Sequence, residues 1–127
     1  MNDVSSKSSN SLTLSVGQVD EQLAHLWMVR TFIKHSDESQ DDEDLREIAR
    51  ELYDFILALA PAKNTEDDEA YVKMARKKFP KVKKAAELFA EIYSDVSSHT
   101  NFEMANKSLQ LVIQRIDGIL QGLGQQG

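Results

Sequence analysis

Val19–His35 reads VDEQLAHLWMVRTFIKH. At about 100° per residue, Val19, Leu23, Leu26, Val29 and Ile33 fall on one stripe with the spacing of a buried helix face. Trp27 flanks the stripe, while Ala24, Met28 and Phe32 lie on other sides. A helix that is apolar on several faces is contacted on several faces. The stretch is too short and too polar to span a bilayer, which needs roughly 20 mainly apolar residues. It predicts a central helix of a bundle, or one at a subunit interface.

Arg30 sits inside this apolar run. A guanidinium there needs a carboxylate, a route to water or a site to serve. Asp54 and Glu51 on the next helix are the expected partners. His25 lies one turn after Glu21, suited to an i,i+4 contact. His35 lies in the last turn, where the helix dipole favours its protonated form. Both histidines read first as structural.

The rest of the chain continues the helical pattern. It has 127 residues, a net charge of −6 and no cysteine. That length suits one domain with a real core. Lacking cysteine, it has no disulfide framework, thiolate nucleophile or thiolate metal site. The net charge argues against general nucleic-acid binding through phosphate contacts. No signal peptide and no membrane span is legible, so a cytoplasmic location is the expectation.

Residues 1–14 read as a disordered or loosely attached tail, and 15–124 as a single helical bundle domain. Leu12–Val16 alternates as an extended segment does, and helix 1 is expected to open at the capping box Ser15-x-x-Gln18, with Asp20 as a competing cap. An acidic run over 37–44 follows, in which Asp41-x-x-Asp44 caps helix 2. Leu45, Ile48, Ala49, Leu52, Phe55, Ile56 and Leu59 then give a clean stripe, and Pro61 is expected to end the helix. Thr65 is the expected cap of the third helix. One helical phase runs from Tyr71 to Val96 through Pro80, predicting one long helix kinked there, or two collinear helices. Thr100-x-x-Glu103 opens the last helix. The fold class is therefore all-α: an up-and-down four-helix bundle with its third helix kinked or broken near Pro80.

A basic cluster, Lys73, Arg76, Lys77, Lys78, Lys81, Lys83 and Lys84, has no acid between Ala70 and Ala86. It reads either as a solvated face that neutralises the acidic 37–51 segment, or as a docking patch. Phe79 is its single aromatic, so no ladder of stacking residues is present.

Enzyme motifs are scarce. Di-metal carboxylate bundles need inward Glu-x-x-His pairs, and Glu21 and His25 stand one residue too far apart. HExxH, GxSxG and GKS/GKT are absent. Neither His25 nor His35 has the neighbours of a phosphotransfer histidine. No metal site and no cofactor is expected.

Arg30-Thr31-Phe32-Ile33-Lys34-His35 is similar to the Arg-x4–6-His signature of HEPN ribonucleases, which are helical bundles that dimerise. The resemblance covers six residues and implies a composite RNA-cleaving site in which Arg30 and His35 are the catalytic candidates. It sits on the first helix, whereas the family carries it late in the domain. Five residues apart, the two side chains point about 140° apart on a regular helix, so a second subunit would have to complete the site.

Two functions follow as expectations. The first is a non-enzymatic interaction or adaptor module. Its partner would dock on Trp27, Met28 and Phe32 or on Lys77, Lys78, Lys81, Lys83 and Lys84, with a homodimer or another protein as occupant. The alternative is the ribonuclease.

Overall fold

The computed structural model describes residues 3–123, with side chains described from residue 11 onward. Helices α1 (Asp3–Lys34), α2 (Glu43–Asn64), α3 (Asp68–Val96) and α4 (Thr100–Leu123) follow one another, with a 3-10 turn over Asp37–Gln40 between the first two. Each helix packs mainly on its neighbours in the ring α1–α2–α3–α4–α1, and α1 meets α3 less extensively across the diagonal. The links at 65–67 and 97–99 are short, so successive helices run antiparallel. This is the expected four-helix bundle.

The stripes read from the sequence form the core. Leu26, Ile33, Leu45, Ile48, Leu52, Leu59, Leu109 and Ile116 have no exposed surface. Each such side chain contributes about 1.5–3 kcal/mol on burial. Phe32, Phe89 and Phe102 make an aromatic cluster at the end of the bundle where α1 finishes, with ring centroids 5.1 Å apart for Phe32–Phe102 and 6.4 Å for Phe89–Phe102. At the other end, the Tyr71 hydroxyl donates to Asp20 at 3.5 Å. Burial first, then the Asp20 carboxylate, hold that hydroxyl above its ordinary range.

Several boundaries differ from expectation. The expected loose tail over residues 1–14 lies largely outside the described side chains. Leu12–Val16 is helical, not extended: Leu12, Val16, Val19 and Leu23 share one face, and that face packs on the core. Ser15 and Gln18 therefore lie inside α1 and cap nothing. Pro61 does not end α2, which runs three residues further. Its missing N–H deprives only the Leu57 carbonyl, close to the helix end and on the exposed side, so the cost is small. Of the two forms expected for the third helix, one long helix through Pro80 is present.

The caps also shift. Asp42, not Asp41, accepts from the Leu45 N–H at 3.0 Å. Asp67, not Thr65, caps α3 by accepting from Ala70 at 3.0 Å. Thr65 instead closes α2, where Asp67 N–H reaches Ala62 O at 2.9 Å and Glu66 N–H reaches Lys63 O at 3.1 Å. That bond pair is a Schellman closure, which needs a left-handed residue after the cap. Glu66 supplies it at φ 56°.

Candidate functional site

Arg30 finds aromatic rings and no carboxylate. Its guanidinium carbon lies 4.6 Å from the ring centroids of both Trp27 and Tyr53. Trp27 precedes it by three residues on α1, and Tyr53 comes from α2. Asp54, one position on, faces solvent, and among the described residues neither it nor Glu51, the two expected partners, forms an ion pair with Arg30. The stack satisfies the cation through ring faces, at about 0.5–2 kcal/mol per contact depending on exposure. Its Nε is buried and has no hydrogen-bond partner among the described residues.

This stack borders a cleft of about 430 Å³ between α1, the 3-10 turn and α2. Arg30 and Lys34 line it from α1, Ser39 and Gln40 from the turn, and Arg46, Ala49, Arg50 and Tyr53 from α2. Arg46 donates one nitrogen to Ser39 O at 2.9 Å and Gln40 O at 3.0 Å, which ties the turn to α2. Arg50 pairs with Glu47, both largely exposed. His35 is exposed beyond the end of α1 and does not line the cleft. Arg30 and His35, the two catalytic candidates, are thus not brought together within the chain.

A second recess lies between α1 and α4. Gln18, Glu21, Gln22, Arg115, Gly118 and Ile119 line a groove of about 460 Å³. A further groove of about 540 Å³ adjoins it and shares Gln18 and Glu21, with Thr13, Leu14 and Gly17. Gly17 and Gly118 both lie in helix interiors, and a Cβ built on either meets nothing within 4 Å. The result is a long, shallow face with a low floor at the glycines, amides at Gln18 and Gln22, and one charge of each sign. The sequence reading passed over this face. Its available signal was the pair of mid-helix glycines, each of which costs about 1 kcal/mol against alanine.

The remaining candidates are scattered. Phe32 is partly buried on Phe102 inside the bundle, whereas Trp27 and Met28 stay exposed. Lys77, Lys78, Lys81 and Lys84 are exposed on α3. Lys83 approaches Asp117 of α4 at 4.0 Å. Phe79, read as part of the basic run, is buried against Phe55 at 6.4 Å. Across the bundle, Lys81 acts on the acidic segment, lowering the Glu51 carboxyl's affinity for protons. Burial and a hydrogen bond with Glu47 outweigh it and hold that carboxyl above its ordinary value. Among the described residues, no group of three or more histidines and carboxylates is placed to hold a metal. No described helix is long and apolar enough to cross a membrane.

A family model described as cobalamin adenosyltransferase matches residues 2–115. No curated protein and no solved structure matches the chain. An enzyme family that spans nearly the whole chain overturns the reading as a non-enzymatic interaction module. It gives no support to the ribonuclease alternative either, whose resemblance rested on six residues.

Proposed function

The chain belongs to the cobalamin adenosyltransferase family, and on that premise we propose that it moves an adenosyl group onto a cobalamin at its α1–α4 face. Family membership is the observation that carries the reading. The acceptor substrate, a cobalamin already reduced by a separate electron donor, supplies the electron pair that attacks the adenosyl carbon, and the bond from that carbon to its leaving group breaks with its pair. The protein therefore has to seat a large flat acceptor and a donor, and to stabilise an anion as it departs.

The two adjoining grooves suit the acceptor better than a closed pocket would. A corrin is larger than the drug-sized ligands that clefts of roughly 300–1,000 Å³ enclose. It needs a long open face, and the low floor at Gly17 and Gly118 gives one. Gln18 and Gln22 offer amide donors and acceptors to the amides on the macrocycle's rim. Arg115 is the cation for the departing anion, since a positioned guanidinium favours charge that develops in the transition state. The expected second copy of the chain belongs to the same proposal, because a face this open needs a cover to exclude water.

The test is an anaerobic assay with a chemically reduced cobalamin and adenosine triphosphate, read from the visible spectrum and by chromatography of the product. Wild type should form adenosylated product faster than the protein-free mixture. Arg115→Gln should lower the rate by about 10²-fold, the scale for removing one charge-stabilising donor, with the helical signal intact. Wild-type product at only the protein-free rate would refute the transfer. An unaffected Arg115→Gln rate would move the reaction away from this face.

A further inference from the structure

We propose that the basic cleft between α1 and α2 is a separate binding site for a small phosphate or polyphosphate. It stands on its own geometry and does not rest on the transfer reaction. The nearest lining residues of the two sites on α1, Gln22 and Arg30, are eight residues apart, about 12 Å along a helix. A group cannot pass directly between the two.

Four cations, Arg30, Lys34, Arg46 and Arg50, line one cavity in a chain of net charge −6. No carboxylate lines it, although 37–44 is the most acidic run of the protein. The turn presents Ser39 and Gln40 to the cleft instead. Among the described residues, no ion pair involves Arg30, Lys34 or Arg46, and the Arg50–Glu47 pair is exposed and weak. Trp27 and Tyr53 both lie against the Arg30 guanidinium, each ring centroid 4.6 Å from its carbon, and its Nε is buried without an acceptor among the described residues. Guanidinium edges match phosphate oxygens in pairs.

The size and surroundings select the ligand. About 430 Å³ lies within the range of small-molecule sites, roughly 300–1,000 Å³. An extended polyanion such as RNA would have to run over the exposed Asp37, Asp41, Glu43 and Asp44 beside the cleft. A compact anion meets the four cations and avoids those carboxylates.

Trp27 is the chain's single tryptophan and lies against Arg30, so its fluorescence reports on the cleft. The experiment titrates the full chain with tripolyphosphate, adenosine triphosphate, adenosine monophosphate and a short single-stranded RNA. Sodium chloride at matched ionic strength is the control. A saturable change with tripolyphosphate is expected, and Lys34→Glu should weaken it at least about tenfold, the scale of one charge-assisted contact. Arg50→Glu, at a largely exposed position, should act alike and serves if Lys34→Glu loses helical signal. Arg115→Gln should leave the titration unchanged. Equal response to tripolyphosphate and adenosine triphosphate assigns recognition to the phosphates alone. Tighter binding of the nucleotide adds a contact to its base.

No saturable change by about 10 mM tripolyphosphate, beyond millimolar affinity, would overturn the site. So would a response matched by sodium chloride, one unchanged in both charge-reversal variants, or one lost in Arg115→Gln. Tighter, Lys34-dependent binding of RNA would overturn the small-ligand assignment. Loss of transfer activity with this titration intact, or the reverse, separates failure of one reading from failure of the other.

Discussion

Glu66→Gly should make the protein more stable, although it removes a side chain and changes no core contact. Glu66 holds φ 56°, the one positive value outside glycine among the described residues. An L-residue in that region costs about 1–2 kcal/mol from the clash of its Cβ with the following carbonyl. Glycine removes this cost, but it gives the unfolded chain about 0.5–1 kcal/mol of extra freedom. The net gain is about 0.5–1 kcal/mol. The Schellman bonds Asp67 N–H to Ala62 O and Glu66 N–H to Lys63 O use only backbone atoms, so both survive. At about 2.1 cal/mol/K per residue, unfolding 127 residues carries roughly 0.27 kcal/mol/K. The Tm should therefore rise by about 2–4 °C, measured by calorimetry or circular dichroism at low protein concentration. Glu66 is exposed, so no lost packing masks the effect. An unchanged or lower Tm would show that the link between α2 and α3 does not hold the left-handed conformation, and the Schellman closure would fall with it.

Two further perturbations separate stability from function. Gly118→Ala should add about 0.8–1 kcal/mol of helix stability, because its Cβ meets nothing within 4 Å, while the methyl raises the groove floor and lowers the transfer rate; a variant both more stable and fully active would remove Gly118 from the site. Glu51 has its carboxyl held above the ordinary 4.5, first by burial and then by its hydrogen bond with Glu47, against Lys81, so between those values the folded state binds protons that the unfolded chain has released and stability falls as pH rises. Glu51→Gln should thus raise the Tm at pH 7 and give no gain at pH 4, and an equal shift at both pH values would disprove the linkage.

Much of the fold was legible because one signal carried it. The 3–4 spacing of apolar residues in Val19–Ile33, Leu45–Leu59, Tyr71–Val96 and Phe102–Leu123 reappears as the buried stripes of α1 to α4. What failed was the punctuation. Proline was read as a stop at 61, but a missing N–H in a last turn removes one bond on the exposed side. Leu12–Val16 alternates over too few residues to tell period 2 from period 3.6, and only its register with Val19 and Leu23 decides for helix. Asp42 and Asp67 outcompeted their neighbours as caps because cap choice depends on where the preceding chain leaves off, which spacing alone does not give.

The candidate faces were hard to read for a different reason: each is made by two helices, and neither helix carries a motif alone. Arg30 was singled out because it interrupted an apolar run, yet its ring partners, Trp27 and Tyr53, come from α1 and α2. The four cations of the basic cleft are spread from Arg30 to Arg50 across a run that reads as acidic. The local charge average hid them until the turn at Asp37–Gln40 folded its carboxylates away from the cavity. The same holds for the α1–α4 face, where Gly17 and Gly118 are about one hundred residues apart. Helix propensity alone makes each a local error, costing about 1 kcal/mol. Lining two adjoining grooves that share Gln18 and Glu21, with open space above each, they read as room kept for a ligand. On that ground the proposed transfer is assigned to the face at the glycines and not to the lysine-rich face of α3.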